Sequence, residues 1–494
     1  MGVLLDQYER PIPSTATVKR KATLDAVLKA RFDAAVTNAE NAKHWAMADS
    51  LDANSAASPL VRQTLRNRAR YEFNNNSFLK GIVLTLANLL IGRGPRLRVL
   101  TENKELNYFV EAEFAKWAKK IDLAGKLRAM RIARVNDGEA FAHQITNPRL
   151  STRVQLDICL TEAEQFSHPY SKAVDEDHVD GIEFDKYGNP VNYIRLRYHP
   201  GGLSSLKSGH DTLSASDVIH WFRVERPGQR RGIPETTPAL PLFSQVRRWE
   251  LAVVAAAETA ADFAAVMYTD LPPGEEAVEI NPDAAMEIER RTMPVLPYGW
   301  KMSQFKAEQP GTTFKEFQGC MWGEAARCIL MPYNVAAGNS SGFNFASGRL
   351  DSHGFTVFLE IERDDCERRV ADPIYEWWLD EALLIPGYLP GTEDEKSQLL
   401  DAHSWGWDSA QPTIDQAKQA NANLTRLKTG TASRESILRQ DFNVDIDDHD
   451  KRAAEDFGVD VPTYRKMVAS AVFGLPAEPV EVTEDEEEEE EVDV

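Results

Sequence analysis

Apolar residues recur at helical spacing in several long blocks of the chain, and at alternate positions in one region between them. From Ser58 to Val99, SPLVRQTLRNRARYEFNNNSFLKGIVLTLANLLIGRGPRLRV predicts two helices. The first is strongly basic, with Arg62, Arg66, Arg68 and Arg70. The second is apolar and is stopped by Gly92-Arg93-Gly94-Pro95. NKELNYFVEAEFAKWAKKI and AGKLRAMRIARVNDG are helical as well. Strand-like runs follow between Glu139 and Val224: EAFAHQI, RVQLDICL, GIEFD, NYIRLRYH and DVIHWFRV, separated by Gly, Asn and Pro. Within them Tyr187-Gly188-Asn189-Pro190 marks a hairpin turn. Helices and hairpin-linked strands together predict an α+β body. Within the first 57 residues, TLDAVLKARFDAAVTNAENAKHWAMA carries helical periodicity too.

The character changes at Arg226. RPGQRRGIPETTPALPLFSQV is a loop punctuated by Pro and Gly, and RRWELAVVAAAETAADFAAVMYT (247–269) is a long alanine-rich helix. Its short side chains let helices approach closely, which suits either the centre of a globular core or lateral packing against copies of itself in a ring. Residues 270–312 form a small Pro-rich β-type insertion, and 314–332 a short helix ending at Pro332. The polar stretch 334–348 comes next, then a second long helix over 349–384. Further on, TIDQAKQANANLTRLKTG stops at Gly430, SRESILRQDF has Ser433 as N-cap, and VPTYRKMVASAVFG stops at Gly474. No internal repeat is visible.

Composition narrows the function classes. At 494 residues, with 43% hydrophobic and 27% charged side chains, the chain can bury a sizeable core in two or more domains. The net charge is −21, from 77 acids against 56 bases. Ten of the acids fall in the tail EVTEDEEEEEEVDV (481–494); setting them aside leaves −11. So acidic a body argues against a broad basic face gripping phosphates, though not against a protein past which DNA slides. The tail itself is expected to be disordered, because charges this dense repel one another. Cys159, Cys320, Cys328 and Cys366 lie far apart, and MGVLLDQYERPIP lacks the start of a signal peptide. A reduced, soluble, intracellular protein is expected, without disulfides or a cysteine-bound metal.

Gly338-Asn339-Ser340-Ser341-Gly342 matches the G-x-S-x-G pattern of a hydrolase nucleophile, which makes a serine hydrolase using Ser340 one alternative. That pattern needs a strand before it and a helix directly after it. Here a helical segment precedes it and the polar FNFASG follows, with only His353 or His403 as a base. The 10 histidines are scattered, and IERDDCERR (361–369) is best explained as a salt-bridged helix face pairing Asp364 with Arg368. Gly92-Arg93-Gly94 is no phosphate-binding loop. The arginines of 62–70 suggest a solvated or salt-bridged face, and a monomeric nucleic-acid-binding factor using that helix is a further alternative. No catalytic residue, metal or cofactor is expected.

Four stretches in order resemble the lambda-type portal proteins of tailed double-stranded DNA phages. They are LRNRARYEFNNNSFLKGIVLTLANLLIGRGPRL (65–97), HWFRVERPGQRRGIPETTPAL (220–240), ILMPYNVAAGNSSGFNFASGRL (329–350) and DPIYEWWLDEAL (372–383). The resemblance implies an α+β portal-type subunit that assembles into a closed ring, usually of about twelve copies. It implies an N-terminal arm (1–57), a wing (58–238), a first stem helix (239–269) and a clip (270–312). A second stem helix (313–332), a channel loop (333–348) and a channel or wing helix (349–384) come next. A C-terminal wing or crown region (385–475) and the acidic tail (476–494) complete it. The implied function is a ring at the capsid vertex of the virion, assembled in the host cytoplasm, through which DNA is packaged and ejected. Implied partners are a terminase motor, the major capsid protein, head-completion or adaptor proteins, and double-stranded DNA passing through without sequence specificity. Asn339, Ser340, Ser341, Phe343 and Asn344 are then channel-loop residues near DNA. Phe343 and Phe345 are placed to wedge against neighbouring loops or helices. No Lys or Arg falls between 334 and 348, so strong phosphate contacts would not arrest sliding. Arg226, Gly228, Gln229, Arg231, Gly232 and Trp249 are assigned to structural or subunit-packing roles.

Overall fold

The computed structural model describes residues 39, 41–169, 177–203, 209–262, 266–269, 271–272, 274–276, 278–279, 295–303, 314–341, 344–408, 416–442, 444 and 446–474. Most of the helical stretch expected before residue 49, most of the clip, Phe343 and the acidic tail lie outside them. The chain divides into two compact units, Met1–Ala56 and Ala57–Val494. In the first, the described residues form turns over 41–47 and one helical turn, Ala53–Ala56.

The second unit opens with α1 (Pro59–Asn75) and α2 (Ser77–Ile91). Asn76 separates them: its extended backbone ends α1, and its side chain accepts from the amides of Phe78 and Leu79 to start α2. Gly92 ends α2 at φ 54°, a conformation that favours glycine. The carbonyls of Leu89 and Leu90 accept from the guanidinium of Arg363, which satisfies a helix end otherwise left open. β1 (Arg96–Val99) follows, then α3 (Lys104–Lys120), capped by Asn103, and α4 (Leu123–Asp137), capped by Asp122.

Seven strands come next: β2 (Glu139–Thr146), β3 (Leu156–Thr161), β4 (His178–Val179), β5 (Ile182–Phe184), β6 (Pro190–Leu196), β7 (His210–Ser214) and β8 (Val218–Phe222). One antiparallel sheet runs β3-β2-β8, with Ala142 opposite both Leu160 and Ile219. A second runs β4-β5-β6-β7, and the expected hairpin joins β5 to β6. Its turn is held by Asp185, which accepts from the amides of Tyr187 and Asn189. Leu79, Leu86, Trp117, Trp221, Leu359 and Trp378 belong to the main core, while Phe141, Phe166, Ile182 and Tyr193 make a smaller one.

The middle of the chain comprises α5 (Leu240–Asp262), β9 (Val266–Tyr268), β10 (Lys301–Ser303), α6 (Phe314–Arg327), α7 (Tyr333–Ala337), α8 (Phe345–Cys366) and α9 (Asp372–Leu384). Two expected boundaries are corrected. The alanine-rich helix does not run to 269, because Val266–Tyr268 pairs antiparallel with Lys301–Ser303 across the insertion and is drawn into a strand. The polar stretch 333–348 is not all loop. α7 occupies its start, and Asn344 caps α8 by accepting from the amide of Ser347 at 2.8 Å. α8 continues into α9 through a widened helical turn, Glu367–Ala371. Pro373 has no N–H to return to the carbonyl of Arg369, and the chain passes it with that wider turn. β11 (His403–Gly406) then pairs with β1, and the chain ends in α10 (Gln416–Lys428), α11 (Ile446–Phe457) and α12 (Val461–Phe473). Ser433 caps a short helix, and Gly430 and Gly474 take positive φ beyond α10 and α12. Among the described residues no helix is long and apolar enough to cross a membrane.

Candidate functional site

The Arg-Pro-Gly-Gln loop folds around its own polar groups. Gln229 accepts from the amides of Glu225 and Arg226 and donates to the carbonyl of Arg231, which fixes the turn between them. Gly228 takes φ 78° within it. The loop thereby drives Arg231 inward, where its guanidinium pairs with Glu139 and donates to the carbonyls of Phe166 and Asp180 at 2.9 and 2.6 Å. Gly232 passes so close to Gly138 that a Cβ would lie 2.1 Å from the carbonyl oxygen of Gly138. Burial pushes the Glu139 carboxyl upward, but Arg231, with hydrogen bonds from His220 and Arg231, holds it well below the usual range.

The basic face of α1 points into the same cluster. Arg62 contacts Asp180 and donates to the carbonyl of Ala57. Arg66 lies 3.3 Å from both Glu139 and Glu164. Arg70 makes two bonds to Asp137, at 2.6 and 2.9 Å, and two to Glu164. Of the four arginines only Arg68 is exposed. The face is thus salt-bridged rather than solvated, and Arg62, Arg66 and Arg70 are taken up by carboxylates inside the fold, which argues against a nucleic-acid surface on residues 62–70.

A second buried array ties α4 to α8. Arg131 and Arg134 flank Glu235, which follows the Arg-Pro-Gly-Gln loop, and both reach Glu362. Arg223 joins them at 2.8 Å from Glu362, and the indole of Trp221 donates to Asp365 at 2.9 Å. Burial pushes Glu235 upward, yet Arg131, Arg134 and Arg223 hold it at about 2. Asp365, not Asp364, forms the ion pair within the helix, with Arg369 at 2.8 Å; Arg368 turns instead to the carbonyl of Asp364.

α5 and α6 pack side by side. Trp249 stacks on Phe314 with ring centroids 4.6 Å apart and meets Phe317 at 4.7 Å, while Gln318 donates to Glu250. Trp322 of α6 stacks on Phe78 of α2 at 4.6 Å, and Arg247 pairs with Glu72 of α1, so the pair is rooted in the body. Away from that root the outer face of α5 is apolar and uncovered: Leu251 is 65% and Val254 54% exposed, and Ala252, Ala255 and Ala256 are exposed too.

Beyond α6, the described part of the polar stretch is short. Gly338 ends α7 at φ 59°, Asn339 accepts from the amide of Ser341, and Asn344 is committed to its cap. Ser340 follows a helix, not a strand, so the geometry of a nucleophile elbow is absent there. Glu162, Glu164 and His199 gather closely enough to suggest a cation site. However, Nδ1 of His199 accepts from the amide of Gly201, its Nε2 lies 2.9 Å from Glu162, and Arg66 and Arg70 pair with the two carboxylates. That corner is an ion-pair cluster.

The sequence pattern of phage portal proteins of the lambda family matches residues 39–363. The chain belongs to that family. Both ionic arrays, the α5–α6 pair and the segment leading into α8 of this portal chain fall wholly or mostly within the match, which ends inside α8. The family is structural rather than enzymatic, and its members are parts of the virion. Among solved structures, the portal chain is similar to the neck of an empty GTA particle computed with C6 symmetry, with 14% identity and a TM-score of 0.44, covering 77% of this chain and 93% of that one. It is also similar to the neck of a native GTA particle computed with C12 symmetry, with 12% identity, a TM-score of 0.42 and the same coverage. The virion of a native gene transfer agent particle is a third, with 13% identity, a TM-score of 0.40, and 78% and 96% covered. No curated protein matches the portal chain's sequence.

Proposed function

We propose that copies of this portal protein close into a ring at one capsid vertex and form the channel through which double-stranded DNA is packaged and ejected. The family match across residues 39–363 carries the reading. The exposed apolar face of α5 supports it, because such a face excludes water best by packing against a neighbouring copy. In this reading residues 58–238 are the wing, α5 and α6 the stem, and the insertion bounded by β9 and β10 the clip that docks the terminase and later the head-completion proteins. The major capsid protein meets the wing. The segment from Gly338 to Asn344, free of Lys and Arg, lines the channel and lets phosphates pass without being held.

The test is the mass of the purified protein by light scattering, with negative-stain images of the same sample. A ring of about a dozen subunits with a central hole is expected. A globular monomer that stays monomeric in the presence of capsid protein would overturn the reading. Deleting residues 338–343 should then impair DNA packaging without dissolving the ring, whereas Ser340→Ala should leave packaging unchanged.

A further inference from the structure

One large groove of the described structure has no role in that reading. It measures about 1440 Å³ and lies between β1, α3 and the start of α4 on one side and α11 and α12 on the other. Its floor is apolar, with Leu97, Phe114 and Leu123. Its walls are basic: Arg93, Arg96, Lys119, Lys451, Arg452 and Arg465 line it, against the carboxylates of Glu111, Asp122 and Asp447. Part of that charge is answered locally. Arg93 and Arg96 share Asp408, and Arg465 pairs with Asp447 and Asp450. Lys119, Lys451 and Arg452 are exposed, and none makes an ion pair among the described residues. A cationic groove is unexpected on so acidic a protein.

The chain carries its own complement. We infer that this groove binds the polyacidic C-terminal run, Glu484 to Glu491, of the same chain. Reach supports the assignment. Val461 lines the groove at the start of α12, and thirteen residues of helix at 1.5 Å each carry the chain roughly 20 Å away to Gly474. The six residues from Leu475 to Val480 span about 20 Å when extended, so the acids that follow can return to the groove. Tethering at this distance supplies an effective concentration on the order of millimolar, and weak exposed ion pairs then suffice for occupancy. A DNA duplex fits less well. Glu111, Asp122 and Asp447 stand on the same walls, and the rest of the chain, tail aside, is at −11, so a continuous phosphate backbone meets repulsion around a small basic patch.

The test uses the full-length protein and a zero-length carbodiimide, which joins an amine to a carboxylate only where the two are in contact, read by mass spectrometry. Links within one chain from Lys119 or Lys451 to carboxylates of residues 484–491 are expected, suppressed at high salt. A labelled peptide EVTEDEEEEEEVDV should bind a full-length variant with E484Q, D485N and E486Q to E491Q. It should bind the unmodified protein on the order of tenfold more weakly, because the site is already filled, and should not bind once K119E, K451E and R452E are added. Tail links scattered over other lysines, links only between chains, or peptide binding indifferent to the charge reversals would overturn the inference. So would duplex DNA that displaces the peptide and binds the groove more tightly, which would reassign it to nucleic acid. All three reversed side chains are exposed, and an unchanged thermal melt confirms that those variants stay folded.

Discussion

Arg231 holds Glu139 through two parallel hydrogen bonds, Nε to Oε2 at 2.8 Å and the outer nitrogen to Oε1 at 2.7 Å, with neither side chain more than 1% exposed. The residues are 92 positions apart, and the pair joins the loop before α5 to the first strand of the central sheet. A lysine cannot reproduce the fork. Glu139→Gln should destabilise the protein by about 3–5 kcal/mol, since it leaves the buried guanidinium of Arg231 without its carboxylate, and Arg231→Lys, which keeps a cation but loses the fork, should cost less. Urea denaturation measures this; an unchanged midpoint would show that the pair is dispensable.

Acid should weaken the second array. Glu235 lies at about 2 in the fold against an ordinary 4.5, so its contribution is complete above pH 4.5 and disappears as the pH falls toward 2. The loss amounts to about 3 kcal/mol. Denaturation midpoints followed down through that window should fall for the wild type and fall less steeply for Glu235→Gln, which starts from a lower value.

His403 works in the opposite sense. Its Nδ1 faces the carbonyl of Leu400 at 2.6 Å and its Nε2 faces Asp372 at 3.2 Å, so the doubly protonated ring satisfies both acceptors. The bond to Asp372 raises its pKa above 6.5 against the opposing effect of burial. Its stabilisation is therefore fully present below pH 6.5 and is lost as the pH rises through the higher folded value. Thermal melts in mildly acidic and mildly alkaline buffer should differ less for His403→Gln than for the wild type.

Gly232→Ala should be among the most damaging substitutions in the chain. Its Cβ would meet the Gly138 carbonyl at 2.1 Å, and both partners are backbone, which cannot rotate away. A loss of more than about 3 kcal/mol, seen as failure to accumulate soluble protein, is the expected outcome. Ala at the uncrowded Gly348 is the control and should be tolerated.

Asn344→Ala should cost about 1 kcal/mol by uncapping α8, while Ser340→Ala leaves the melting temperature unchanged. Equal effects at both positions would mean that the cap is not what starts the helix.

What was legible in the sequence was local. Gly92, Gly430 and Gly474 end helices because backbone chemistry at one residue decides it, and the β5–β6 hairpin rests on an Asp185 turn only five residues long. What was not legible depended on distant partners. The sequence leaves the arginines of α1 as either solvated or salt-bridged, because Glu139, Asp137, Glu164 and Asp180 come from segments 67–118 positions away, brought close only by the sheet. Val266–Tyr268 read as helix because its partner, Lys301–Ser303, lies across the insertion. The pairing of Asp365 with Arg369 keeps the same four-residue spacing as Asp364 with Arg368, and the choice between them rests on distant partners, because Asp365 is the carboxylate that faces Arg134 and Trp221. At the candidate channel segment, Gly and Ser signalled a break, but Asn344 as the cap of a long helix needed the observed bond to Ser347.

The run from Phe345 to Leu384 also has a mechanical meaning. A helix is stiff along its axis, and Glu362 lies 18 residues beyond Asn344, roughly 27 Å at 1.5 Å per residue. At that point Glu362 is clamped by Arg131, Arg134 and Arg223. A push on the polar tip is thus delivered, like load through a strut, to a charged joint deep in the body rather than dissipated in the turn where it began.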